Sequence, residues 1–200
     1  SCHGMTDTTE ISAQDLARIE LFEGALKGDL GRVKAAVESG ATLAGREGKD
    51  ALHAAVCAGG ADVVRFLVAA GCDPRDTAFP DRPLISSAAF YDRVEVVRAL
   101  LELAPGIGLQ EGLKAAATQN HPRSIRLLLE AGAVACHDDS AALFWAVLND
   151  ARDAARVLLM EGAKLADFHP APLHPDRLRL IEIRRGEFAR TVRWLEKEAA

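Results

Sequence analysis

One pattern of about thirty residues recurs along this 200-residue chain. Each copy contains a Leu, an Ala pair, a turn residue, two small apolar positions, a Leu pair and a Gly-Ala ending, and the clearest copy is 50–73. Such a period is typical of stacked repeats, because a unit that cannot bury its apolar face alone packs against its neighbours. The residues that end the copies, spaced 31, 33, 28 and 30 residues apart, are Gly40, Gly71, Ala104, Gly132 and Gly162.

Within a copy, the spacing of apolar residues predicts two short antiparallel helices. Leu52, Ala55 and Val56 fall at i, i+3 and i+4, which places them on one helical face, and 63–68 repeats this spacing. Between the two helices stands a residue type that adopts left-handed backbone at low cost, as a tight helix-ending turn requires. These turn residues are Gly28, Gly59, Asp92, Asn120 and Asp150.

The composition supports an all-α chain. It includes 37 Ala and 25 Leu, both strong helix formers, but only 10 aromatic residues, which argues against a β-sandwich or barrel. At 49% apolar residues the chain can bury a core. No apolar run approaches the ~18 residues of a membrane-spanning helix. The net charge of −5 argues against binding nucleic acid through a basic surface.

The start of the chain and its cysteines suggest a cytoplasmic protein. Residues 1–4 precede Met5 and are interpreted as a vector-derived remnant, and 5–11 as a flexible N-terminus without a signal-peptide pattern. The remaining cysteines have no CxxC spacing and are expected to be reduced thiols rather than a disulfide framework. They are Cys57, Cys72 and Cys136. The excess of Arg over Lys is typical of GC-rich, often bacterial genomes.

The second copy resembles the ankyrin repeat. The matching residues are the step Leu52-His53-Ala54-Ala55, Gly59, the pair Val63-Val64 and the ending Gly71-x-Asp73, although the full Thr-Pro-Leu-His motif is absent. The resemblance covers about residues 12–198. It implies a single ankyrin-repeat domain over 12–200, an all-α solenoid of stacked antiparallel helix pairs joined by turns and fingers. The implied units are about 12–43, 44–74, 75–106, 107–134 and 135–164, with a degenerate C-terminal cap at 165–200.

The two ends of a solenoid are expected to turn polar faces outward. At the N-terminus, Ser12-Ala-Gln-Asp15 has the pattern of a capping box that begins a helix. At the C-terminus, arginines alternate with apolar residues such as Phe188 and Trp194, which predicts an amphipathic cap with an exposed basic face. A basic docking patch is the alternative interpretation of these arginines.

The resemblance also implies a binding surface, made of the turn tips and the outward face of each first helix. We call the residue of each copy that corresponds to Leu52 its anchor. With Ile85 as the anchor of the third copy, the positions that vary among family members hold two Phe, the single Tyr and an Arg in this copy. These residue types often dominate interface energy. The finger that leads into this copy is also the longest. The expected partner-binding residues are Arg75, Phe79, Arg82, Phe90, Tyr91, Arg46, Lys49 and Gln119.

Two alternatives stay open for this surface. In the first, Phe79, Phe90 and Tyr91 pack against each other or fill the groove beside the shortened next finger. In the second, Leu84 rather than Ile85 is the anchor, and the aromatic side chains turn partly inward. Either arrangement would leave less aromatic surface for a partner.

Signatures of catalysis are lacking, because the sequence has no Gly-rich phosphate loop, no HExxH and no GxSxG. His53 is expected to tie neighbouring turns together, and Trp145 to pack in the core. The predicted function is therefore a non-catalytic adaptor, inhibitor or scaffold that binds another protein on its concave face. It is expected to be a monomer and to need no metal, cofactor, nucleic acid or membrane. The alternatives are a structural protein that self-assembles through its Arg-rich end, and a small thiol- or metal-dependent enzyme that uses Cys136, His137 and Asp138.

Overall fold

The computed structural model describes residues 11–76, 82–168 and 175–198. Over these ranges the chain forms twelve α-helices and a 3-10 turn at Leu165–Phe168. None of these helices is long and apolar enough to cross a membrane. The helices are α1 Ala13–Lys27, α2 Leu30–Glu38, α3 Gly45–Ala58, α4 Ala61–Ala69, α5 Leu84–Phe90, α6 Val94–Leu103, α7 Leu109–Thr118, α8 Pro122–Glu130, α9 His137–Leu148, α10 Arg152–Met160, α11 Pro175–Ile183 and α12 Arg185–Glu198.

The first five helix pairs each reverse at a residue with left-handed backbone, as the sequence predicts. This residue follows the anchor of its repeat by seven positions, as Gly59 follows Leu52. Asp92 follows Ile85 by the same interval, so Ile85 is the anchor of the third repeat and the alternative register at Leu84 is wrong. The φ angles are 66° at Gly28, 89° at Gly59, 51° at Asp92, 60° at Asn120 and 55° at Asp150.

Three of these turn residues also hydrogen-bond to the second helix of the next unit. The Asp92 carboxylate accepts from Ser124 Oγ at 2.8 Å, and the Asp150 carboxylate accepts from Thr191 Oγ1 at 2.8 Å. Asn120 Oδ1 accepts the backbone N–H of Ala154 at 2.9 Å. Ala154 lies in the first turn of α10, where an N–H has no partner within its own helix. The side chain that permits the reversal thus also fixes the next repeat.

The core of the described residues is one continuous cluster along the stack, built from Ala, Val and Leu. Small side chains such as Ala116 and Ala117 let the first helices approach closely. Consecutive first helices are in closer contact than the second helices beside them at α1 and α3, α5 and α7, and α7 and α9, but not at α3 and α5. At those three junctions the stack therefore bends with its first helices on the inner, concave side.

The two ends of the solenoid differ. At the C-terminus, Phe188 and Val192 of α12 pack against the core, and the Trp194 ring lies beneath the guanidinium groups of Arg152 and Arg156 at 4.9 and 4.6 Å. The apolar side of α12 thus faces the core, whereas Ile183 at the end of α11 is 71% exposed. At the N-terminus, Ser12 caps α1 by accepting the N–H of Asp15 at 3.1 Å, as predicted.

The expectation of a polar outer face is wrong at the N-terminal end. Large apolar side chains of α1 are exposed there, because the helix is apolar on two opposite sides and only one side packs against α2 and α3. The exposed side chains are Leu16, Ile19, Phe22 and Leu26.

Substitutions of Asn120 separate its two roles. Asn120→Gly keeps the left-handed turn but loses the hydrogen bond to α10, which lowers the free energy of unfolding by about 1 kcal/mol. Asn120→Ala also strains the backbone, which costs about 1 kcal/mol more. Urea unfolding followed by circular dichroism measures both, with the exposed neighbour Gln119→Ala as the control. If the Asn120→Gly and Asn120→Ala variants had the same free energy of unfolding, the backbone strain expected in the Ala variant would be contradicted.

Candidate interaction surface

A groove of about 340 Å³ opens on the concave side where α5, α7 and α9 lie side by side. Aromatic side chains form two of its walls, and charged side chains lie at its rim. Because it spans three consecutive first helices, its shape depends on the stacking of the repeats. Its lining residues are Arg82, Ser86, Phe90, Glu111, Lys114, Ala115, Thr118 and Trp145.

Phe90 and Tyr91 stand at the C-terminal end of α5, just before the left-handed turn at Asp92. Their rings stack edge to face with centroids 5.2 Å apart. His121 Nε2 donates to the Phe90 carbonyl at 3.0 Å, which holds this backbone against the next repeat. Tyr91 remains 51% exposed and Phe90 is half-buried. The two rings thus pack on each other and still present a surface to solvent.

Trp145 forms part of the groove, although the sequence assigned it to the core. Its position in α9 corresponds to Ala115 in α7, and its half-buried ring lies in the groove beside that small side chain. The buried Phe144 ring contacts it at a centroid distance of 5.7 Å. A Trp at a position where the preceding repeat has Ala is the sequence signal that could have identified it.

The short finger before α7 keeps this part of the concave face open. Gly108 precedes the first residue of α7 and has a φ of 68°, and a Cβ there would lie 2.4 Å from Pro83 Cβ. The absent side chain lets the start of α7 pack directly on the preceding repeat. No finger residue therefore covers Phe90 or Lys114 in the described part of the chain.

Three charged side chains at the groove have no ion-pair partner among the residues that the structure describes. Within the described ranges, Arg82, Glu111 and Lys114 form no ion pair. The Ser86 hydroxyl donates to the Glu111 carbonyl at 3.5 Å, so this contact leaves the Glu111 carboxylate free. Two cations and one anion at the rim of an apolar groove can each pair with an opposite charge on a ligand.

The other residues expected from the sequence lie around this groove or away from it. Arg46 is exposed, pairs with Asp50 at 3.4 Å and lines a separate open groove between α1 and α3. Lys49 pairs with Asp76 at 3.1 Å. Arg75 and Gln119 are exposed. Phe79 lies outside the described residues.

The comparisons with known proteins agree with this geometry. A family model of ankyrin repeats, in three copies, matches residues 21–111. Among solved structures, the ankyrin repeat domain of human ASB11 matches with a TM-score of 0.64 and 19% sequence identity, over 72% of this chain and 69% of that chain. No curated protein matches the sequence. Residues 21–111 therefore consist of ankyrin repeats, and the described chain has the fold of an ankyrin-repeat solenoid. The resemblance and the fold expected from the sequence are confirmed, and ankyrin repeats generally bind other proteins.

One histidine of this ankyrin domain bridges two repeats on the concave side. His53 Nε2 lies 3.4 Å from Ser87 Oγ in the next repeat and 3.4 Å from Cys57 Sγ. Burial lowers the pKa of His53, so the imidazole is neutral at pH 7. Burial also raises the pKa of the Cys57 thiol, which a nearby Arg93 only partly opposes. The pair therefore holds a neutral thiol and serves the contact between repeats.

The alternative reactive set lies at the start of α9. Cys136, His137 and Asp138 are exposed, and Asp138 pairs with Arg177 at 3.1 Å. Across 11–76, 82–168 and 175–198, no three His, Cys, Asp or Glu residues group as metal ligands would. The buried Ser140 hydroxyl donates to the Asp167 carboxylate at 2.5 Å and accepts the Lys164 N–H at 3.0 Å. These bonds fix the left-handed backbone of residues 138–140 at the start of α9.

Alkylation distinguishes the thiols of the folded ankyrin domain. Burial raises the pKa of Cys57 and Cys72, which leaves little thiolate at either, whereas Cys136 is exposed. Iodoacetamide is therefore expected to modify Cys136 before Cys57 and Cys72 in mildly alkaline buffer, as measured by peptide mass spectrometry. The control is the same reaction in guanidinium, in which the three thiols react alike. A Cys57 that reacts as fast as Cys136 would reveal an activated thiol.

Proposed function

We propose that this ankyrin domain is a non-catalytic protein-binding module, an adaptor, inhibitor or scaffold. It holds its partner on the concave face of the second to fourth repeats, and Trp145 of the fifth extends this face. The observation that carries the proposal is the groove in which Phe90, Lys114 and Trp145 come together. Aromatic and cationic side chains in a concave site are the residue types that most often supply interface energy.

The surrounding surface has the layout of a protein interface. Standard interfaces bury about 1,600 Å² in total, of which a few central residues supply most of the energy and a polar rim excludes water. The groove alone is too small for such a contact, so the partner must also cover the exposed polar side chains beside it. The expected rim consists of Arg46, Lys49, Arg75 and Gln119.

The groove also limits the chemistry of the partner segment. Its apolar walls, formed by Phe90, Ala115 and Trp145, suit an apolar or aromatic side chain. Arg82 and Lys114 at the rim suit a carboxylate, and Glu111 suits a cation. The best-fitting partner segment therefore carries one large apolar side chain with an acidic residue close to it.

The double substitution Phe90→Ala with Tyr91→Ala tests this site. It removes both stacked rings, and we expect partner affinity to fall by at least about 2 kcal/mol, or ~30-fold. The partner is first captured by affinity purification from the source organism, identified and purified. Titration calorimetry then measures its dissociation constant with the wild type and with the variant.

The matched control is Met160→Ala. Met160 is 85% exposed and lies at the end of α10, on the convex side. Its loss is expected to leave the affinity unchanged, and urea unfolding checks that both variants keep their fold. If the double variant unfolds like the wild type and still binds the partner equally well, the site lies elsewhere on the domain.

A further inference from the structure

The N-terminal helix α1 has an apolar face that nothing in the described chain covers. Ala17, Leu21 and Ala25 face α2 and α3 and are buried. The opposite side carries large apolar side chains, to which Ile11 just before the helix is added. These side chains, Ile11 included, are 40–66% exposed. A helix that is apolar on both sides is usually buried on both. We call Ile11, Leu16, Ile19, Phe22 and Leu26 the α1 stripe.

The sequence before the stripe supplies little apolar surface to cover it. Among residues 1–10, Cys2 and Met5 are the only apolar side chains beside eight small or polar ones. Residues 1–10 can therefore bury little of the stripe in an apolar contact. This follows from composition and applies to any arrangement of these residues.

The order of residues in the stripe makes it complementary to itself. Leu16 and Leu26 lie five positions on either side of Leu21, and Ile19 and Phe22 flank nearly the same midpoint. An antiparallel two-fold contact through this midpoint places Leu16 opposite Leu26 of the second copy. It likewise places Ile19 opposite Phe22 of the second copy. Symmetric dimers require such a patch, in which residue i meets j and j meets i.

The charges beside the stripe do not oppose this contact, because they are already paired within the chain. Arg18 lies 3.4 Å from Asp15 and 3.6 Å from Glu47. Glu23 lies 2.7 Å from Arg32 and 3.8 Å from Lys27. Two copies can therefore meet without bringing an unpaired charge into an apolar contact, which would be costly.

The exposed area suits a weak dimer. Each side chain of the stripe presents roughly 100 Å², so the stripe offers about 500 Å², within the range of the largest apolar patch on typical monomers. A symmetric contact counts this area twice and buries about 1,000 Å², the lower limit for a specific interface. Such a contact forms and dissociates readily as the concentration changes.

We infer that two copies of this chain associate through the N-terminal ends of their solenoids. The two α1 helices are antiparallel in this contact. Such a dimer differs from the monomer expected from the sequence and leaves the groove on α5, α7 and α9 open. Its contact lies beside Arg46 of the expected rim, because Arg46 lines the groove between α1 and α3 together with Ile19 and Phe22. It also differs from assembly through the Arg-rich end, because its contact is apolar. The dimer presents two concave faces, so a partner with two matching segments gains affinity from both.

Sedimentation velocity of the full chain, from about 1 to about 200 µM, tests the dimer. We expect the wild type to shift from monomer towards dimer across this range, and to do so equally at ~0.1 and ~0.5 M salt. Leu16→Glu combined with Leu26→Glu brings like charges together and is expected to weaken association at least about tenfold. Met160→Glu, which alters an exposed apolar residue on α10, is the matched control and keeps the wild-type behaviour.

A second variant tests the antiparallel register. Leu16→Glu with Leu26→Lys places a carboxylate opposite an ammonium of the second copy, so it is expected to dimerise more strongly than the doubly acidic variant. Circular dichroism checks that all variants keep their helices. A wild type that stays monomeric throughout, association that salt abolishes, or two double variants that associate like the wild type would each overturn the inference.

Discussion

Each repeat reverses direction at a residue seven positions after its anchor, and that residue has left-handed backbone. Only a few residue types adopt this conformation at low cost. In the last three of the five repeats the same residue is an Asp or Asn whose side chain also bonds to the next unit. One position thus sets both the direction of the chain within a repeat and the register between repeats, and the continuous core depends on both.

The concave groove follows from that register. Because Phe90 occupies the fifth position after Ile85, its ring must lie at the inner end of α5, beside the corresponding ends of α7 and α9. Ala115 then leaves room for the Trp145 ring, and Gly108 lets α7 pack on Pro83 without a covering finger. With Leu84 as the anchor, Phe90 would have occupied a different position of its repeat. The shape of the groove therefore depends on the residues at the turns as well as on the residues that line it.

The sequence predicts much of this fold because its strongest signals are local. Left-handed residues at a fixed interval, Ala pairs and the Ser12 cap each act within a few residues, and they identify the helix pairs and their ends. The features that it missed depend on what neighbouring repeats supply. From the sequence alone Trp145 is expected to be buried, and only the structure shows that the small Ala115 beside it leaves its ring in the groove. Leu16 of the α1 stripe is likewise expected in a capping helix, and only the structure shows that nothing in the described chain packs on its outer side. The hydrogen bonds from Asp92 and Asn120 likewise join residues more than 30 positions apart, which periodicity does not reveal.

We propose that the inner helices of the solenoid form the partner surface. Hydrogen–deuterium exchange, measured by mass spectrometry on the domain alone and in complex with its purified partner, tests this claim directly. Binding on the concave side is expected to slow exchange at the C-terminal ends of α5, α7 and α9 and at the turns that follow them. The exposed sides of α6, α8 and α10 are expected to stay unchanged. Protection confined to these second helices, or to the C-terminal cap, would contradict the account.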